Sequence, residues 1–538
     1  MRKLLFPLLL LCFIAAGVYA QPRVEKSAPI EEPAIGSYDK VLLMKSGKTC
    51  YAHYSGDGAI DLNIYGTDRK LVSHTAIKSQ RWDGDDFKST TILGTYDING
   101  ELVIFLQQTD KKHPVLYRLR INTDDGKLLK EDILATTKKG NSFFAKDNVQ
   151  TQMKVAKDTR SGCYAVVFYD NLDEDADDAI KVMHFDEKHT LLSTARISSP
   201  DKKIRHIVIQ DIAVEGNKGV YLATYYVGSS EEESKIYISK LSAGETAVTT
   251  KPLDFTEDFR GSNLQMAYNY TTGQVQLLIV AYTKTKRNRE YYVSYFCNVN
   301  PATLDVAGVK EVSNEKVTAF ARNSLGEEGD GNYMGVPQCF VLNGRNEPVI
   351  IKQVLVMIYH TTSKGATYRA GTAFGSIGIS EMGIDGTEKQ SYLVKHTSAT
   401  RMDLGAMYIK DINTGKWDNA YISRKMGTNI QFHSFRYVIG KKNNYIVHLA
   451  HKKEIDNPDN DKMHKKDFAE SKNNAAYCTM RNGNISNEFL FGKPVGKKDR
   501  TTCFMDAADQ NDEGLFATII IEQKGKKTEH KIAWVSFE

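Results

Sequence analysis

The sequence predicts an all-β fold, a β-propeller of seven or eight four-stranded antiparallel blades, and the count of units favours eight. Three observations carry this. Residues 94–137 read GTYDINGELVIFLQQTDKKHPVLYRLRINTDDGKLLKEDILATT, with extended stretches at 93–97, 102–107, 115–121 and 128–134 joined by turns at Asn99-Gly100 and Asp124-Asp125-Gly126. Similar four-strand units recur along the chain, as a radial repeat requires. No stretch beyond the first 20 residues keeps apolar side chains at i, i+3, i+4 and i+7 over ten or more positions, so no helix is expected.

Taken in order, the first unit has strands at 41–44, 50–54, 60–64 and 71–77, separated by turn residues such as Ser46-Gly47 and Gly56-Asp57-Gly58. The second is the stretch quoted above. The third runs through 153–156, 163–169, 180–185 and 191–197, and the fourth through 207–214, 220–226, 236–241 and 247–253. The fifth has 264–268, 275–282, 291–297 and 306–312. The sixth is irregular, with strands at 338–342, 349–358, 377–382 and 392–394, a glycine-rich piece at 371–378, and an added hairpin pairing 406–410 with 417–422 around Asn413-Thr414-Gly415. The seventh has 432–439, 445–450, 475–480 and 489–491, with a long charged loop at 452–474; the eighth has 503–507, 515–521 and 532–537. That last unit lacks a fourth strand, and a bare sheet edge invites aggregation. A strand near the N terminus, such as 41–44, is expected to complete it and close the ring. Two β-sandwich domains would also use these strands, but not their even recurrence about hairpins.

Two pieces, 116–134 (LYRLRINTDDGKLLKEDIL) and 407–422 (MYIKDINTGKWDNAYI), resemble the outer hairpin of PQQ-type β-propeller repeats, where an aspartate-bearing strand enters a Thr-Gly turn and leaves through a tryptophan-bearing strand. The resemblance implies the fold and not the quinone, and no functional residue is carried over from it.

Residues 1–20 read as a secretory signal peptide: Arg2 and Lys3, an apolar run at 4–16, then Val18-Tyr19-Ala20 before Gln21. Cys12 is preceded by Leu11, where a lipoprotein needs a small residue. Residues 21–37, with three prolines, read as a flexible arm, and 38–538 as a single propeller domain. No later stretch reaches the ~20 apolar residues of a membrane helix, so a secreted or periplasmic protein without membrane insertion is expected, associated with the cell surface. Lysine and arginine number 71 against 66 aspartates and glutamates, for a net charge of +5, and the signs are mixed throughout; the basic clusters at 284–289 and 524–527 read as solvated hairpin tips, so no nucleic-acid partner is expected. Six cysteines remain after cleavage, with no CxxC among them; buried reduced thiols are expected, with Cys478 and Cys503 as the one pairing worth a test.

No assembled catalytic motif is present. A GxSxG elbow is absent, and the glycines at 371–378 are followed by a strand, so they lack a phosphate loop's context. Asp173, Asp175 and Asp177 have the alternate spacing of a calcium loop, but no glycine stands at the sixth position and His184 occupies the twelfth. A solvated loop is the better reading, and no cofactor is expected. His433 and His448, on neighbouring strands, are a candidate metal pair. Propellers gather ligands where inner strands and loops converge, so the polar inner-strand residues Asp97, Asp211, Asn269, Gln338, His433, Arg436 and Asp506 are the candidate binding residues. The expected function is an exported, non-catalytic module that binds a protein or glycan at the cell envelope. The alternative is a polysaccharide hydrolase or lyase with Asp211 and Asp506 as acid and base.

Overall fold

The computed structural model describes residues 21–32, 38–56, 58–79, 81, 90–110, 113–137, 153–169, 180–197, 206–228, 234–255, 262–284, 290–325, 333–363, 365–400, 404–409, 413, 415–416, 433–456, 473–481, 484–496 and 498–538. These form eight antiparallel sheets, spanning 38–77, 91–136, 153–197, 206–252, 263–311, 336–394, 435–489 and 500–536. In each of the first seven the strands lie side by side in chain order. The first strands of blades one to six touch in succession, so they form the inner wall. The protein is an eight-bladed β-propeller.

Its core is eight separate layers, one between each pair of neighbouring blades. Strand pleating explains this. Each blade is buried on both faces, so its central strands read as near-continuous apolar runs, such as Tyr164–Tyr169 (YAVVFY), buried at every position. Leu102, Ile104 and Leu106 pack toward blade one, while Val103 and Phe105 on the opposite face pack toward blade three. The layer joining blade eight to blade one contains Trp534, whose Nε1 donates to Thr49 Oγ1 at 2.9 Å.

The ring closes differently from the sequence expectation. Residues Tyr38–Leu43 are the inner strand of blade one. The fourth strand of blade eight is Arg23–Lys26, which pairs antiparallel with Lys527–Ser536 from Arg23 opposite Ser536 to Lys26 opposite Ala533. The stretch read as a flexible arm therefore supplies the closing strand. Val24 packs into the blade seven–eight core, and Lys26, two positions on and on the same face, pairs through Nζ with Glu522 at 2.5 Å.

Helices are also present. Glu315–Leu325 forms one, with Glu315 in its first turn and Arg322 in its last, as the helix dipole favours. Its apolar stripe is short: Val317 is fully buried and Phe320 and Ala321 partly so, against Tyr333 and Leu393. An i, i+3, i+4 stripe without an i+7 member falls below the threshold set for a helix in the sequence. Lys452–Asp456 forms a second, single-turn helix.

The added hairpin of the sixth unit is a strap instead. Ser398–Thr400 pairs with Thr372–Phe374, residues 406–409 form turns, and Met407 N donates to Pro337 O at 2.8 Å. Gly415–Lys416 then pairs with Ile92 and Thr91, at the start of blade two's inner strand. Blades six and two are diametrically opposite in a ring of eight, so the described ends of this segment, 404–409 and 415–416, lie against opposite sides of the ring. The piece at 116–134 does form the outer hairpin of its blade; 407–409 does not, and 417–422 lies outside the described residues.

Blade six also outgrows its ring position. Its second strand, Pro348–Thr361, has 14 residues, and its third, Thr367–Met382, has 16. The inner strand pairs no further than Val336 opposite Gln353, so residues 355–361 and 367–374 project as a two-stranded arm. Tyr333 seats the base of this arm. Its hydroxyl donates to Ser376 O (2.9 Å) and also lies 3.1 Å from Lys352 O, and its ring lies where a Cβ on Gly335 or Gly378 would stand, at 2.3 and 2.6 Å. Part of the glycine-rich piece is thus explained by close approach of a ring.

Candidate ligand-binding cleft

The inner-strand polar residues are used within the ring. Asp97 accepts a hydrogen bond from Lys45 N of blade one at 2.6 Å, and Asp211 accepts one from Met266 N of blade five at 2.7 Å. Gln265 and Asp509 do the same for Phe340 N and Leu43 N, at 2.8 and 2.7 Å. These side chains form a partial belt that ties blade two to one, four to five, five to six and eight to one through inner backbone amides. Asn269 donates to Gln276 Oε1 and Asn346 O, and Gln338 donates to Val336 O.

His433, Arg436 and Asp506 come together at the junction of blades seven, eight and one. Blade eight's inner strand is interrupted there: Arg500–Cys503 and Asp509–Gln510 both pair with Leu515–Lys524, and the residues between turn their carbonyls toward the neighbouring blades. Arg436 donates to Met505 O at 2.6 Å and Ala508 O at 3.0 Å, and Lys40 of blade one donates to the same Ala508 carbonyl at 3.0 Å. All these groups are buried. Burial pushes the Asp506 carboxyl up to about 6, with Asp39 adding to the rise and Arg436 opposing it. Burial, then the Arg436 charge, bring Lys40 down to about 7, with Asp509 and Asp506 opposing. Burial likewise holds His433 well below its usual range, and its Nδ1 has no partner among the described residues. The cluster locks the ring where its two chain ends meet. Asp506 and Asp211 sit in blades eight and four, on opposite sides of the ring, and Asp211 is bonded to the Met266 amide.

The histidine pair is also different from the expectation. His448 Nδ1 lies 3.3 Å from His396 Nδ1, and its Nε2 lies 3.6 Å from Cys478 Sγ, whereas the charges acting on His433 are Arg436 and Lys40. Among the described residues no group of three or more histidine, cysteine or acidic side chains could hold a metal ion. The acidic run 170–178 lies outside the described residues. All six cysteines from Cys50 to Cys503 are buried and unpaired.

An open cleft of about 1280 Å³ lies between blades five and six, on the face where second strands pass into third strands and each blade passes to the next. Three pieces of chain build it. Blade five contributes Tyr282, Tyr291 and Tyr292; Tyr282 and Tyr292 are cross-strand partners with ring centroids 5.5 Å apart. The helix between the blades contributes Glu315, Thr318 and Arg322. Ser313 Oγ accepts from Glu315 N, and Glu388 accepts from Lys316 N at 3.0 Å, which fixes the helix start. Blade six contributes Tyr333 and Met334, then Leu355, Met357 and Tyr359 from alternate positions of the arm, and Leu404 and Gly405 of the strap close one side. Sequence reasoning noted the Tyr291-Tyr292 pair but not the cleft. The available signal was the length of the uncharged run after Lys352, QVLVMIYHT, which exceeds what a blade strand needs.

With the fold and cleft in view, comparison with known proteins gives the following. No protein-family model matches the chain, and no curated protein sequence does. Similar solved structures include the polysaccharide lyase Uly1, with 9% identity over 83% of this chain and 89% of that one and a TM-score of 0.36. A post-proline cleaving enzyme from Rickettsia typhi has 7% identity over 92% of this chain and 59% of that one, with a TM-score of 0.39. An α-L-arabinanase from Penicillium chrysogenum has 10% identity over 62% of this chain and 93% of that one, with a TM-score of 0.32. At these values no activity or residue role passes to this chain. No helix among the described residues is long and apolar enough to cross a membrane.

Proposed function

We propose that the protein is an exported, non-catalytic β-propeller of the cell envelope that binds a protein ligand in the cleft between blades five and six. One observation carries the reading: the apolar exposure of the cleft wall, at Met334 and Tyr359, and of the arm that continues it. Met334 is 64% exposed, Val356 56%, Ile358 37% and Tyr359 58%. With Tyr368, these make five of the twelve exposed large apolar side chains among the described residues, all from blade six. Contiguous exposed apolar surface marks interaction sites, and tyrosine, methionine and arginine are the residues enriched in protein interfaces. Export rests on residues 1–20, and its direct check is a mature N terminus at Gln21 in the extracytoplasmic fraction. The non-catalytic reading is supported by the belt, because the inner-strand carboxylates are bonded to backbone rather than turned to an open pocket.

A second reading is a glycan ligand, favoured by the Tyr282–Tyr292 ring pair beside Arg322, which joins apolar faces to polar tips. Affinity purification from the native envelope, with wild-type protein and a Met334→Asp, Tyr291→Ala variant, separates the two. A protein partner that is lost from the variant by about tenfold or more, as a hot-spot residue implies, supports the protein reading. Retention of every partner by the variant contradicts the cleft, and co-purifying carbohydrate lost from the variant favours the glycan. Met334→Asp should leave the melting temperature unchanged, because its side chain is largely in water.

A further inference from the structure

We propose that the cleft takes its ligand by strand addition: an extended, uncharged polypeptide segment pairs with the outer edge of the blade six arm at residues 355–361. This rests on the protein-binding reading above. The arm strand Pro348–Thr361 is paired on one side along its length, from Val349 opposite Glu381 to Thr361 opposite Thr367. On its other side the inner strand stops at Gln353. Among the described residues no strand pairs with 355–361 on that side, which leaves a row of backbone N–H and C=O groups open.

Such an edge is a template for another strand, and proteins ordinarily blunt it with charge, proline or a bulge. The fourth strands of this propeller follow that practice: Leu128–Thr136 carries Lys130, Glu131 and Asp132, and Val306–Glu311 carries Lys310 and Glu311. The arm does not. Residues 354–361 read VLVMIYHT, with no acidic or basic side chain other than His360, and no proline. The occupant follows from this chemistry. A ladder of alternating donors and acceptors at strand spacing is matched by another polypeptide backbone, whereas a sugar chain has no such repeat. Side chains from alternate positions of the added strand would enter the cleft beside Leu355, Met357 and Tyr359, and would face Tyr291 and Arg322 across it. Val356 and Ile358, on the other face of the arm, explain why apolar exposure continues outside the cleft.

The test uses the whole mature chain and a phage-displayed library of seven-residue peptides. Peptides enriched on the wild-type protein over the Met334→Asp, Tyr291→Ala variant are synthesised, and the tightest is N-methylated at each position in turn. Removing a ladder hydrogen bond and crowding the edge should weaken binding about tenfold or more at every second position, with the intervening positions unaffected. A flat response overturns strand addition while leaving the cleft reading intact. Enriched peptides that bind the cleft variant equally well overturn the cleft reading itself. A library that yields no peptide selective for the wild type overturns the proposal. So does a concentration-dependent dimer in sedimentation whose contact is the arm, since a second copy would then be the edge's occupant.

Discussion

A chain beginning at Ala28, with the closing strand removed, should lose at least about 3 kcal/mol of stability, at roughly 1 kcal/mol for each of the few backbone hydrogen bonds lost, and should aggregate. The strand Arg23–Lys26 contributes four paired positions to Lys527–Ser536, and Ser27 extends the ladder, donating to Ile532 O at 2.9 Å and accepting from Ile532 N at 3.0 Å. Val24 and the Lys26–Glu522 pair are lost with it. The truncation would uncover residues 532–536 of that edge, a stretch that includes the buried Ile532, Ala533, Trp534 and Val535, while the Ile30–His530 bridge would remain. Urea denaturation should show a lower midpoint for the truncated chain, and light scattering should show association. A truncated chain as stable as the full mature protein would mean that the inter-blade cores alone close the ring.

Arg436→Met should cost about 3–5 kcal/mol, the usual penalty for removing one partner from a buried charge cluster, and the cost should depend on pH. The guanidinium satisfies Met505 O and Ala508 O and faces Asp506 and Asp509. The folded-state pKa of Asp506 is raised to about 6, against about 3.9 in the unfolded chain. A raised acid is stabilising below its unfolded pKa, and that stability is lost as pH rises through about 6. At pH 5 Asp506 is largely protonated and needs no counter-charge. At pH 8 it is ionised and does. The destabilisation by Arg436→Met should therefore be larger at pH 8 than at pH 5, measured by urea melts at both. Lys40 works in the opposite direction: its folded pKa is lowered to about 7, so the stability it contributes is present above about 10.4 and lost as pH falls through 7. Equal costs at the two pH values would remove Asp506 from the account.

The blades were legible because their periodicity is local. Alternation or a continuous apolar run, bounded by turns such as Asn99-Gly100, marks each strand without reference to its neighbours. The closing strand was not legible. Arg23–Lys26 is a four-residue stretch with two basic residues, one acid and one valine, and only its pairing with the far end of the chain makes it a strand. The strap was misread for a related reason: Met407 and Ile409 are apolar because they enter the blade five–six and six–seven cores from turns, not because they alternate along a strand. Among the candidate site residues, polarity on an inner strand identified buried groups but not their use. Asp97 and Asp211 bond backbone of the adjacent blade, and sequence spacing carries no information about that register. The cleft depends on three distant segments, 282–292, 313–334 and 355–359, whose meeting is set by the ring as a whole.

The measurement that tests the central claim most directly is hydrogen–deuterium exchange on the mature chain with and without the selected peptide. The account predicts fast exchange at the open-edge amides of residues 355–361 in the free protein, and slowing on binding confined to that segment and the cleft residues 291–294. Slowing at another blade with none in the arm would contradict it, and would place the ligand elsewhere on the ring.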